Sequence, residues 1–404
     1  MKKLLFSAAM IALSGVAQMT PAFADPVPAD WPAVTAEARG QTVYWNAWGG
    51  STTTNDFLAW VGARVSQQYG VTLEHVKLTD TADAVSRVLA EKSAGKDDGG
   101  AIDMIWINGA NFAAMKQAGL LFGPFAEDLP NWGLVDVEGK TVQTDFTVPV
   151  EGFESPWAMA QVVFIHDTAR LKAPLGSMNA LLEWAKSNPG RFTFPQPPDF
   201  LGATFLKQAL IDLLEDPSVL QSAAGDNYAE VTAPLWAFLE ELTPNLWRQG
   251  RAYPQTGPRQ FQLIVDGEVD LAISFSPGEA SAAIANFQLP ETARTFVLDK
   301  GTLGNASFVA IPYNSGAKAG AMVVANFLMS GEAQARAQDP SVLGYGTVLD
   351  MAKLTASERA VFDGLSLGVA TLSPADLGQA QAEPHPSWMT RISADWVSRY
   401  GVTP

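Results

Sequence analysis

The chain has three histidines and no cysteine, and their placement limits the chemistry it can perform. His75 falls in a β-type run, His166 at the end of another, and His385 between Pro384 and Pro386. No H-x-x-H or H-E-x-x-H spacing exists, so no zinc site is expected and no residue is assigned as a metal ligand. Thiolate nucleophiles and disulfides are excluded by composition. There is no G-x-S-x-G elbow, no phosphate-cradling G-x-x-x-x-G-K-[ST], and no G-x-G-x-x-G after a strand. Gly344-x-Gly346 lacks the third glycine. The acidic pairs Asp97/Asp98 and Glu151/Glu154 are the residue types of a glycosidase. Adjacency in sequence, however, says nothing about the spatial separation that such chemistry requires. No catalytic residue and no cofactor follow from the sequence.

What remains is a set of loops rich in small polar and aromatic residues: 48–51, 108–111, 154–157, 200–204, 274–277 and 304–307. Hydroxyls, amides and helix-start N–H groups hold a polar small molecule without reacting with it. Any one of these loops is ordinary turn or cap chemistry. Six of them in one chain is the signal.

The elements that must carry these loops alternate between strand and helix. Residues 42–48 are β-branched and aromatic, and Gly49-Gly50 stops them. Ser51 to Thr54 can cap a following helix in which Phe57, Leu58, Val61 and Val65 recur at helical spacing. A strand at 71–78, a helix opened by Asp80, a short apolar strand at 102–107 and a helix from Asn111 follow. This is the grammar of a doubly wound α/β sheet, whose ligands sit outside the carboxyl ends of the strands. Residues 48–51 and 108–111 should therefore share one rim. An irregular stretch at 122–156 precedes a long apolar strand at 157–166. The α/β rhythm then resumes, with strands expected at 191–194, 271–275, 294–298 and 308–312. Two such runs in 404 residues predict two lobes sharing a hinge.

The first 24 residues read as a secretory leader: a Lys2-Lys3 start, an apolar run and an Ala22-Phe23-Ala24 cleavage pattern. The mature chain is expected to begin at Asp25, in the periplasm. With 42 acidic and 26 basic residues the net charge is −16, and loss of the leader makes it more negative. That balance excludes nucleic acid, disfavours anionic lipid, and either keeps the protein soluble or attracts a cationic ligand. No direct membrane insertion is expected, and the protein is expected to be a monomer.

Several stretches together resemble the type II periplasmic solute-binding proteins of ABC importers. They are residues 43–50 (VYWNAWGG), 101–112 (AIDMIWINGANF), 157–166 (WAMAQVVFIH), 266–274 (DGEVDLAIS) and the helix-like 317–330. Residues 188–200 (NPGRFTFPQPPDF) are similar to the YnjB-type group of that family. The resemblance implies a two-lobe α/β fold (type II), each lobe a mixed or parallel sheet flanked by helices and joined by a hinge. It implies lobe 1 over 25–156, lobe 2 over 157–304, and a return to lobe 1 with C-terminal helices over 305–404. A small ligand would be captured between the lobes and delivered to an inner-membrane permease with its ATPase, without catalysis. Carried over residue by residue, the ligand loops become Trp48, Gly49, Gly50, Ser51, Asn108, Asn111, Trp157, Gly202, Thr204, Ser274 and Ser276, with Asn305 and Tyr345 added. There is no adjacent Tyr-Tyr pair, so ferric ion is not the expected cargo. Two ligand classes stay open. One is an organic cation such as thiamine or a polyamine, drawn to Trp48, Trp157 and either Glu154 or Glu279; the other is an anion or polyol held at helix N-termini. A secreted two-lobe hydrolase is the alternative class.

Overall fold

The computed structural model describes residues 25–401; the expected leader lies outside the described residues. Ten strands form: β1 (Thr42–Trp48), β2 (Thr72–Leu78), β3 (Met104–Ile107), β4 (Thr144–Asp145), β5 (Val148–Pro149), β6 (Glu154–Gln161), β7 (Val163–Asp167), β8 (Leu271–Ser274), β9 (Ala293–Phe296) and β10 (Gly304–Ala310). The first sheet has the order β2-β1-β3-β10-β6, with β1, β2 and β3 parallel and β10 antiparallel to both its neighbours. The second has the order β8-β7-β9 and is antiparallel, with a parallel bridge from Phe192 to Leu271 on its β8 side. Residues 191–194 thus supply a single bridge where the sequence suggested a strand.

Sequence explains why the first sheet is sealed on both faces. Val43, Trp45 and Ala47 alternate inward along β1, toward a core shared with the helices Thr52–Tyr69 and Lys318–Leu328. On the opposite face, Ile105 and Ile107 of β3 pack with the helices Thr81–Ser93 and Ala110–Gln117. Ser51 caps the first of these helices, and Gly70 ends it at φ +71°, a left-handed turn that glycine adopts without steric cost. The second sheet is likewise covered on both sides, by the core of Phe164, Phe192, Phe205 and Leu239 and by that of Ile165, Leu263 and Ala280. Two three-layer α/β/α lobes result.

The long strand expected at 157–166 is two strands in two sheets. Val162 stands between β6 and β7, its N–H bound to Leu303 O at 2.8 Å, so the chain crosses there and not at Trp157. It returns where β10 begins. A third passage follows the same seam, where Gln381 bridges to Leu303 and Gln161 donates to Leu377 O at 3.1 Å. The last helix, Pro386–Tyr400, buries Trp388, Ile392 and Trp396 in the second lobe's core. The C-terminal helix thus packs against lobe 2, where Trp396 fits the aromatic cluster of Phe194 and Tyr253 and Trp388 stacks on Tyr228. No helix among the described residues is long and apolar enough to cross a membrane.

Candidate functional site: the cleft between the lobes

The strand ends of lobe 1 that face lobe 2 are those of β1, β2 and β3, the start of β10 and the end of β6. The structure closes the lobes onto this edge. Ser276 Oγ donates to Leu343 O at 3.0 Å, and a Cβ on Gly278 would stand 2.5 Å from Gly344 Cα. Only glycine allows that backbone contact.

The expected site residues divide into three groups. Trp48, Gly49, Gly50 and Ser51 lie at the end of β1 as expected, with Trp48 folded back so that a Cβ on Gly50 would meet its ring at 2.4 Å. Ser51 Oγ accepts from Thr54 N at 3.4 Å and opens the helix Thr52–Tyr69. Asn108 and Asn111 flank the end of β3, both half-buried. Ser274 and Ser276 sit across the cleft. The Ser274 hydroxyl donates to Glu279 and accepts from Ser276 N at 3.0 Å, while Tyr345 stands half-buried near Glu279 and Thr54. These residues converge.

A second group is structural. Gly202 and Thr204 are buried inside the helix Phe200–Leu213. A Cβ on Gly202 would come within 2.2 Å of Pro195 O, and Thr204 Oγ1 donates to Phe200 O at 2.8 Å, so both serve the helix itself. Trp157 is wholly buried. Its ring packs on Trp106, Phe57, Tyr345 and Trp45 at centroid distances of 4.8, 5.9, 6.1 and 6.3 Å. It supports the cleft from behind, and the half-buried indole on the same strand-end face as Asn108 is Trp106. The charge candidate Glu154 pairs opposite Ala310, at the far end of β6 from the cleft, and is fully enclosed.

Asn305 belongs to a third arrangement. Its Nδ2 donates to Glu383 Oε1 at 3.2 Å, and Lys207 Nζ lies 2.5 Å from Glu383 Oε2 with both side chains almost wholly buried. The Lys207 ammonium also sits 4.3 Å from the Phe146 ring centre, so a lobe 2 helix, a lobe 1 hairpin and the third passage meet there. Asp145, next to Phe146, takes the Gly109 N–H and the Asn108 amide.

Sequence reading missed Trp106, Asp145, Lys207 and Glu383. Two signals could have exposed some of them. Lys207 interrupts an apolar helix, and lysine is almost never buried without a partner. Trp106 shares strand parity with Asn108.

The electrostatics of the cleft are acidic. Burial raises the Asp199 carboxyl above its usual range, and Asp80 on the opposite lobe raises it further. Burial also raises Glu279, against the Ser274 hydrogen bond, and Glu279 in turn helps burial push the Tyr345 phenol up to about 12. Burial lifts Asp145 to about 7, opposed by the Gly109 and Asn108 hydrogen bonds. Away from the cleft, Glu154 is raised well above the carboxylate range by burial and then by Asp145.

A carboxyl whose folded-state pKa is raised binds its proton more tightly in the folded than in the unfolded state. Its stabilisation is complete below the unfolded value, about 4, and disappears as pH rises through the folded value. We therefore expect the melting temperature of the ligand-free protein to fall as pH rises from about 5 to about 8. Asp145→Asn should flatten that slope, and a scanning-calorimetry series over this range checks it.

A cavity of about 590 Å³ lies beyond the end of β10, away from the cleft, between Phe122, Tyr313, Lys92 and Lys318. Lys92 pairs with Asp97 and Lys318 with Asp25 at its walls.

Comparison with known proteins fits this geometry. The sequence profile of the family described as "Bacterial extracellular solute-binding protein" matches residues 59–360. Protein YnjB of Escherichia coli (strain K12) is 44% identical over 374 residues, spanning 92% of this chain and 94% of that protein. The periplasmic binding protein AfuA from Actinobacillus pleuropneumoniae, solved with fructose-6-phosphate bound, superposes with a TM-score of 0.63 at 14% identity, covering 90% of this chain and 99% of that one. The spermidine/putrescine substrate-binding protein PotD from Streptococcus pneumoniae gives 0.58 at 14% identity, covering 89% and 98%. Likeness at that identity speaks for the fold alone. The profile match and the YnjB relative go further: this chain belongs to the bacterial extracellular solute-binding protein family, the non-catalytic, extracytoplasmic capture components of ABC importers.

Proposed function

We propose that the protein captures a small organic cation between its lobes and hands it to a cognate inner-membrane permease. One observation carries this reading: the cleft brings acid toward acid. Glu279 is desolvated against Tyr345, and the charge of Asp80 in lobe 1 reaches Asp199 in lobe 2, whose carboxylate takes the Leu201 and Gly202 N–H groups, with no lysine or arginine paired to Glu279 or Asp199 among the described residues. Closure around a cation relieves that repulsion, whereas closure around an anion worsens it. The aromatic groups are suited to the same task. Trp106 and Tyr345 on one side, and Phe275 on the other, offer π faces to a positive charge; Phe200, 5.5 Å from Phe275, already has the Lys207 ammonium 5.6 Å from its ring centre.

In this reading Trp48, Ser51, Asn108, Asn111, Ser274, Ser276 and Tyr345 line the site, joined by Trp106 and Glu279. Gly49 and Gly50 shape its edge, while Asn305 holds the hinge. Lobe 2 comprises 163–303 with the final helix, and lobe 1 the remainder. The leader is removed after Ala24, and the mature protein works as a periplasmic monomer.

A thermal-shift screen of the mature protein tests the ligand class. A ligand at a thousandfold excess over its dissociation constant stabilises by about 4 kcal/mol. We expect thiamine, putrescine or spermidine to raise the melting temperature, and Glu279→Gln to weaken the responding ligand about ten- to a hundredfold. If only phosphate esters or sugars stabilise the protein, the cation reading is lost.

A further inference from the structure

Asn108 stands at the cleft edge with its carboxamide orientation fixed. Its Nδ2 lies 2.7 Å from Ala306 O and 3.3 Å from Asp145 Oδ1. A main-chain carbonyl can only accept, so the atom facing Ala306 is the nitrogen; turning the amide over would set oxygen against oxygen. Asp145 cannot swing away, because it is buried and its other oxygen takes the Gly109 N–H at the start of the helix Ala110–Gln117. Both N–H bonds of the Asn108 amide therefore point into lobe 1. What the amide offers outward is Oδ1, which takes no hydrogen bond from any described residue.

Across the cleft, Glu279 presents the same kind of group. One of its oxygens receives the Ser274 hydroxyl, and the other is without a donor among the described residues. The two lobes thus both present acceptors, and an ammonium with N–H bonds satisfies them. A fully alkylated cation supplies the charge and can still meet the aromatic rings, yet leaves both acceptors desolvated and unpaired.

Building on the cation reading, we infer that the cleft selects a primary or secondary ammonium over a quaternary one. Asn108 Oδ1 and Glu279 are the acceptors, and Asp145 is a positioning residue that acts together with Ala306 O to keep the Asn108 amide in its accepting orientation. Asp145 touches no ligand in this arrangement; it acts through Asn108.

Isothermal titration of the mature protein with putrescine and with its bis(trimethylammonium) analogue tests this. Charge and chain length match, while every ammonium N–H bond is replaced by a methyl group. The expected result is an affinity about ten- to a hundredfold higher for putrescine. Asn108→Leu, which removes Oδ1 while keeping the branching of the side chain, should bring the two affinities together; Asp145→Asn, which leaves Ala306 O holding the Asn108 amide, should narrow their ratio in part. A residue that merely stabilised the fold would weaken both ligands equally and leave their ratio unchanged. Should Asp145→Asn fail to fold, Asn108→Leu alone decides. Equal wild-type affinities overturn the selectivity and leave the cation reading standing. Binding of neither analogue, with stabilisation only by anions or sugars, removes both.

Discussion

Replacing Lys207 with alanine is expected to destabilise the folded protein by about 3–5 kcal/mol. The ammonium and its partner Glu383 are almost fully buried, at 1% and 2% side-chain exposure. Deleting the lysine leaves Glu383 in a solvent-excluded seam with only the Asn305 amide to hold it. The cost comes from that stranded charge more than from the lost attraction. A double replacement, Lys207→Met with Glu383→Leu, should therefore recover most of the loss, since an apolar pair of similar volume removes both desolvation penalties. Urea denaturation of the two variants and the wild type measures the difference. A single variant within about 1 kcal/mol of wild type would place the pair in a surface-like environment. A second consequence concerns Asp145, whose raised pKa is opposed in part by Lys207. In a folded Lys207 variant, Asp145 should hold its proton to still higher pH.

The sequence made some of this architecture legible and concealed the rest for identifiable reasons. β1, the helix Thr52–Tyr69 and β3 were readable because period, cap and stop signals agree there: alternating apolar residues, Ser51, then Gly70. The rim formed by Trp48 to Ser51 and Asn108 to Asn111 followed from topology alone, because parallel strands place their carboxyl ends together. The crossing at Val162 was hidden. Residues 157–166 form one unbroken apolar run, and nothing in such a run marks where the chain leaves one sheet for another. Asp145 and Lys207 were hidden for a different reason. Each takes its meaning from partners far along the chain, Asp145 from Asn108 and Lys207 from Glu383, and spacing cannot report such pairs. Gly202 and Thr204 present the opposite case: a Gly and a Thr at a helix start look like ligand-binding residues in sequence, and the structure shows them making a tight Pro195 contact and a backbone hydrogen bond.

Trp157 shows how a residue can matter to the cleft without touching what the cleft holds. Truncating it to alanine is expected to cost about 3–5 kcal/mol, the range for a large aromatic removed from a packed core. Its ring packs against Trp45, Phe57, Trp106 and Tyr345. The hole left by truncation would remove the support behind Trp106 and Tyr345, two of the aromatic groups proposed to meet the ligand. Trp157→Ala should thus lower the melting temperature strongly and weaken binding as a secondary effect. Trp106→Ala should do the reverse, weakening a cationic ligand severalfold with a smaller loss of stability, because Trp106 is only half-buried. Trp157→Phe separates the two contributions: it keeps a ring in place, removes an indole N–H that has no partner among the described residues, and should retain most of the affinity. Chemical denaturation and calorimetric titration of the three variants would place each residue. A Trp157→Ala protein with wild-type stability and lost binding would move that indole from the supporting layer into the site itself, and would require a cleft deeper than the one the aromatic packing defines.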